Sequence, residues 1–126
     1  MLPVERIIGE EGLSATPRGA RLAMRLPWYR SLPFSTVEVA GVTLDGAPVD
    51  LADAVVEFDD ISFPLAEMGE QTNPFWFVRD SAFLVLPGVN LAADSEHDVS
   101  LLLHVNPPYI PGMKRVNPQT ATLRVN

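Results

Sequence analysis

Apolar and polar positions alternate along much of this chain. In "RLAMRL", Leu22, Met24 and Leu26 fall on one face of an extended segment. In "TVEVAGVTL", Val37 and Val39 share a face before Gly41, and Val42 and Leu44 share one after it. A glycine inside such a strand predicts a bulge or kink. "HDVSLLLHV" sets Val99, Leu101, Leu103 and Val105 on one side, and "TATLRV" ends the chain with the same period. "AFLVL" is a short continuous apolar run, the pattern of a buried strand. Asp45-Gly46 between apolar runs predicts a hairpin. Only "FPLAEMGEQ" departs, with Pro64 early and Gly69 near its stop, and it predicts one or two helical turns. Short strands broken at regular intervals by turn residues predict an all-β fold. The expected architecture is an antiparallel β-sandwich, jelly-roll-like, with at most one or two short helical turns, in which residues 1–126 form a single domain.

Composition supports a folded β domain and narrows its partners. The 12 prolines among 126 residues are about twice the usual share, and they leave little room for helices. Net charge is −7, with one lysine, Lys114, against eight arginines. A chain so acidic is poorly suited to a nucleic-acid backbone or an anionic membrane surface, which need a basic face. There are no cysteines, which leans toward a reducing compartment. "MLPVERIIGEEG" lacks a basic segment followed by an apolar run, the mark of a signal peptide. No apolar run approaches the ~20 residues of a membrane helix. A soluble cytoplasmic protein is the expectation.

Reactive groups are sparse. His97 and His104 lie seven apart on one strand, so they face opposite ways and make a poor ligand pair. No G-x-S-x-G, P-loop or G-x-G-x-x-G is present. Glu10-Glu11 and Asp59-Asp60 read as solvated turns. No residue is assigned a catalytic or metal-ligating role.

Aromatic residues with polar tips cluster instead at breaks in the pattern. They are Trp28-Tyr29 with Arg30, Phe75-Trp76 with Arg79, and Tyr109 within the proline-rich "NPPYIPGMKRVNP". Trp28 and Tyr29 cannot both enter one core from an extended chain, so one large ring faces outward beside a cation. Phe77 and Phe83 are expected in the core. Trp, Tyr and Arg dominate protein interfaces, and aromatic faces also stack on sugars and flat phenols. Trp28, Tyr29, Arg30, Phe75, Trp76, Arg79 and Tyr109 are therefore the predicted partner-interface or pocket-rim residues. The residues by themselves point to an all-β binding module or subunit.

The order of these motifs resembles the β-subunit of C-glycoside deglycosidases. The family's "LPYYRG" is similar to Leu26-Pro27-Trp28-Tyr29-Arg30-Ser31, with Trp28 where Tyr is common and Ser31 where Gly is common. Its "S-x-V/I-E" and "V-x-V/L-D-G" are similar to Ser35 through Glu38 and Val42 through Gly46. Its "F-x-L-x-E-M" is similar to Phe63 through Met68, and its "Y-I/M-P" to Tyr109-Ile110-Pro111. The likeness spans roughly residues 20 to 125. It implies a small non-catalytic β-sandwich subunit in a bacterial cytoplasmic hetero-oligomer. The implied partner is a TIM-barrel α-subunit holding manganese or magnesium and the catalytic base. The implied reaction is a lyase-type elimination that breaks the C–C bond of a 3-oxo-C-glycoside in flavonoid C-glycoside catabolism. No cofactor is implied in this chain. The alternatives are a stand-alone carbohydrate-binding domain and a structural adaptor.

Overall fold

The computed structural model describes residues 6–126. In chain order the strands are β1 (Ile8–Thr16), β2 (Gly19–Met24), β3 (Leu32–Pro33), β4 (Val37–Leu44), β5 (Ala47–Pro48), β6 (Val55–Phe58), β7 (Ile61–Pro64), β8 (Phe75–Trp76), β9 (Ala82–Pro87), β10 (Glu96–Val105) and β11 (Arg115–Arg124). Two short 3-10 segments, Phe34–Thr36 and Leu65–Glu70, are the described helical turns. The second is the turn expected at "FPLAEMGEQ", with Pro64 as its N-cap.

One sheet runs β1-β2-β9-β6-β7 and the other β11-β10-β4-β5, with antiparallel strand pairs throughout. Their inner faces close on one core that includes Leu22, Met24, Val56 and Leu84 from the first sheet and Val37, Leu101 and Leu103 from the second. The expected all-β antiparallel fold is thus present. Its strand order is more specific than jelly-roll-like: β1-β2-β9-β6 against β4-β10-β11 is the Greek-key arrangement of an immunoglobulin-type sandwich, with β5 and β7 as short edge additions.

Local sequence accounts for the joints. Val99, Leu101, Leu103 and Val105 are all buried on β10, as their alternation requires. On β4 the register slips beside Gly41: Leu102 pairs with Gly41 and Leu103 with Val39, leaving Ala40 as the extra residue of a bulge. Asp45 and Gly46 both adopt positive φ, 51° and 84°, the conformation of a type I′ hairpin turn. β1 also breaks register between Ile8 and Leu13, where Gly12 has φ 66°. Beyond that break Leu13 forms a parallel bridge to Val125, and Asn126 N–H donates to Leu13 O at 2.9 Å. Before it, the N–H groups of Ile7 and Ile8 both donate to the Gln119 side chain at 2.7 and 2.8 Å. β1 therefore laces the two sheets together along one edge, covering groups that would otherwise invite another strand.

A smaller unit positions the aromatic segments. β3 pairs with β8, Leu32 opposite Trp76 and Pro33 opposite Phe75. Phe34 N–H donates to Pro74 O at 3.1 Å, and Asn106 N–H donates to Thr36 O at 2.8 Å. Phe34 is fully buried, stacked on Trp76 at 5.3 Å and edge-on to Phe58 and Phe63. The segments around residues 28, 76 and 109 are thus held to one another by backbone bonds on either side of a packed aromatic centre.

Candidate functional site

The chain turns sharply after Leu26, and Trp28 and Tyr29 separate as their adjacency demands. Trp28 packs into the core with 8% of its surface exposed, whereas Tyr29 is 64% exposed. Their rings still touch, with centroids 5.1 Å apart and planes tilted by 38°. Tyr109 arrives from the proline-rich loop between β10 and β11 and completes the group. Trp28 Nε1–H donates to Tyr109 Oη at 2.7 Å, and Tyr109 Oη and Tyr29 Oη share a hydrogen bond of 2.9 Å. The Arg30 guanidinium lies over the Tyr109 ring, 5.4 Å from its centroid, within cation–π range. The bond to Tyr109 is the main reason the Tyr29 hydroxyl titrates above its usual value, with desolvation adding to it and Arg30 pulling the other way. The hydroxyl therefore stays protonated at neutral pH. Four of the predicted residues come together: Tyr29, Arg30 and Tyr109 form the exposed part, with Arg30 joined through the Tyr109 ring, whereas Trp28, expected at the rim, is a core residue that supports them from below through its bond to Tyr109.

The remaining three separate. Phe75 is 45% exposed and sits on β8 opposite Pro33, next to this region. Trp76 is not a rim residue. It is completely buried, stacked on Phe34, and its Nε1–H donates to Asp80 O at 3.0 Å. Its indole is large enough to fill the space between the sheets, and its one polar atom has a backbone partner, so burial carries no penalty. Arg79 is exposed and lines a different feature, an open groove of about 510 Å³ shared with Arg25, Glu10, Glu11, Asp59 and Asp80. Phe77, expected in the core, is 52% exposed and leans on Phe58 with ring centroids 5.7 Å apart. Phe83 is half-buried beneath the Arg21 guanidinium, 3.6 Å from its ring. Ile110 is an exposed apolar neighbour of Tyr109 in sequence that the residue-type argument overlooked.

A profile of the C-glycoside deglycosidase beta subunit matches residues 6–109. The chain belongs to that family. The 3'-dehydrocarminate deglycosidase beta subunit of a Microbacterium species is 42% identical over 107 residues, 85% of this chain and 80% of that protein. A C-glycoside deglycosidase beta subunit of Microbacterium trichothecenolyticum is 36% identical over 111 residues, 87% of this chain and 82% of its own. One from Arthrobacter globiformis is 36% identical over 109 residues, 84% and 81% respectively. The profile match takes in the whole cluster and stops at Tyr109 itself.

Elsewhere this beta-subunit chain carries polar networks. His97 Nδ1 meets Asp45 Oδ2 at 2.6 Å and His97 Nε2 meets Ser95 Oγ at 2.9 Å. Ser95 Oγ already donates its proton to Ala92 O at 2.6 Å, so this serine is tied into a turn rather than poised as a nucleophile. His104 points to the opposite side of β10, with Nδ1 3.8 Å from Glu38 Oε2. Burial pushes the Glu57 carboxyl up, but the Arg18 and Arg21 guanidinium groups beside it prevail and hold it low. Among the described residues no group of three or more His, Cys, Asp or Glu is placed to hold a metal ion. No described helix is long and apolar enough to cross a membrane.

Proposed function

We propose that this chain is the non-catalytic β-subunit of a cytoplasmic, hetero-oligomeric C-glycoside deglycosidase, and that it docks on a TIM-barrel α-subunit through the cluster of Trp28, Tyr29, Arg30 and Tyr109. The observation that carries the reading is that cluster. Two exposed tyrosines and a cation are pre-assembled over the buried Trp28, and groups held in place in this way lose little freedom on association. The kinship with deglycosidase beta subunits supports the choice of partner.

The reaction belongs to the α-subunit, which holds manganese or magnesium and the catalytic base. A C-glycosidic bond has no oxygen leaving group, so the two-carboxylate route for O-glycosides does not apply. A ketone at C3 acidifies the C2 proton that the base removes as an enolate forms, and a divalent metal in the α-subunit would supply Lewis-acid polarisation of that carbonyl. Collapse of the enolate breaks the bond from C1 to the aglycone carbon. The aglycone leaves with that electron pair and takes up a proton, and an unsaturated keto-sugar remains. Substrates are 3-oxo-C-glycosides of flavonoid-type aglycones, and the activity is that of a carbon–carbon lyase.

Co-expression with an epimerase-like α-subunit tests the proposal. A stable complex that cleaves a 3-oxo-C-glycoside, with either subunit inactive alone, is the expected result. Cleavage by this chain alone, or failure to co-purify with any such partner while binding a sugar by itself, refutes it.

A further inference from the structure

The hydrogen bonds of the docking cluster leave a cation and a phenolic proton unused. The Trp28 indole proton is used on Tyr109 Oη. The two phenols own two protons between them, and only one lies in the Tyr29–Tyr109 bond. If Tyr109 donates, the Tyr29 proton points outward. If Tyr29 donates, the Tyr109 proton does. In both cases one phenolic O–H remains without an acceptor in the cluster, polarised by the bonds behind it. Arg30 adds its N–H donors, and the arginine ion pairs of the described residues involve Arg18, Arg21 and Arg124 instead. The exposed polar output of the cluster therefore includes a guanidinium and a phenolic proton, both donors, beside the free lone pairs of the phenol oxygens, and its only charge is the cation.

A docked surface takes Arg30 out of water. A guanidinium desolvated without an anion opposite it works against association, so a surface covering this cluster must bring one. A carboxylate fits on three counts. Its two oxygens match the forked donors of arginine, a second lone pair remains for the nearby phenol, and its charge complements a cationic spot on a chain whose net charge is −7. We infer that the cluster receives an Asp or Glu side chain of the α-subunit, held jointly by Arg30 and the Tyr29–Tyr109 phenol pair. The inference rests on the reading that this face docks the α-subunit.

The test is the affinity of the full chain for the α-subunit at 50 and 500 mM salt, a change that shortens the Debye length about threefold, with activity of the assembled complex measured in parallel. Arg30→Gln is expected to weaken assembly about tenfold or more at low salt and to flatten its salt dependence. Arg30→Lys should restore part of the loss, because the charge returns without the fork. Tyr29→Phe leaves the Tyr109 proton without the second phenol that orients and polarises it and should weaken binding severalfold, and both sites are exposed enough to leave the fold intact. Tyr109→Ala separates the two levels of the argument. If it abolishes assembly while Arg30→Gln and Tyr29→Phe bind within twofold of wild type, the face docks by apolar contact and the carboxylate is refuted. If all three bind normally, the docking reading itself falls. If Arg30→Gln leaves affinity unchanged but raises the KM of the complex, the cluster faces substrate, and the inference is overturned.

Discussion

Trp28 and Tyr109 lie 81 positions apart in the sequence, and the indole N–H of the first donates to the phenolic oxygen of the second at 2.7 Å. The bond joins a residue that is nearly all core to one that is 45% exposed. A single contact therefore couples packing inside the sandwich to an exposed face, the one proposed to dock the α-subunit. The unequal burial of its ends makes the two residues separable by mutation.

Trp28→Ala should cost about 3–5 kcal/mol of stability, as for other large rings removed from a core. Tyr109→Ala should cost only about 1 kcal/mol, mostly the lost hydrogen bond. The order reverses for assembly measured on folded protein, where Tyr109→Ala removes half of the phenol pair. Denaturant melts of the lone chain give the first ranking and co-purification with the α-subunit gives the second. Equal destabilisation by both changes would place Tyr109 in the core and contradict the exposure described here.

Trp76→Ala should behave as a core deletion with no separate effect on binding. The ring is fully buried and stacked on Phe34, so a loss of about 3–5 kcal/mol is expected. For a domain of this size that lowers Tm by roughly 10–20 °C. Protein that remains folded at low temperature should still assemble. A variant that melts normally yet fails to assemble would return Trp76 to the interface.

Period-two patterning made the strands legible, because alternation follows directly from which face is buried. The Asp45-Gly46 hairpin and the bulge beside Gly41 were legible for the same local reason: backbone geometry there is set by one or two residues. Strand order was not, since the choice between a jelly roll and an immunoglobulin-type sandwich depends on which distant strands pair. Residue type singled out Trp28, Tyr29, Arg30 and Tyr109, but on "FWF" it put Phe75 and Trp76 at the rim and Phe77 in the core, whereas Trp76 is buried and both phenylalanines are exposed. Parity supplies the missing step. On "FWF" only the central ring or the flanking pair can face inward, so once Trp76 fills the core both phenylalanines are turned to the surface. Which set wins is decided by packing against Phe34, on which Trp76 stacks, a property of the packed molecule.

Asp45 should make stability sensitive to acid. Its carboxyl is held below the usual carboxylate range chiefly by the hydrogen bond with His97, and also by the Asp98 N–H. A carboxyl lowered in the folded state stabilises fully above its unfolded pKa of ~3.9 and loses that contribution as pH falls through the folded value. Asp45→Asn keeps the turn, because Asn-Gly suits a type I′ hairpin. The Tm of wild type minus that of Asp45→Asn should therefore hold steady above about pH 5 and shrink as pH falls below about 4. A difference that stays constant across that window would show that the His97 bond does not favour the ionised form.

Two glycines should respond oppositely to the same substitution. Gly19 opens β2 with φ 129°, and a Cβ there would lie 2.2 Å from Leu86 O and 3.0 Å from its carbonyl carbon. Those atoms are backbone, fixed by the pairing of β2 with β9 in which Gly19 opposes Pro87 and Ala20 opposes Leu86. The neighbour cannot swing away, and the φ itself is unfavourable for any residue with a side chain. Gly19→Ala should cost about 2 kcal/mol or more, combining backbone strain with a displaced ladder. Gly41 also sits within a strand, beside the β4 bulge, but a Cβ there meets nothing within 4 Å and no positive φ is recorded for it. Gly41→Ala should be neutral or stabilise by up to about 1 kcal/mol, because it reduces the freedom of the unfolded chain. Parallel denaturant titrations decide the matter. Equal losses at the two positions would mean that strand interiors here reject any side chain, and that the close approach at Leu86 is not the cause.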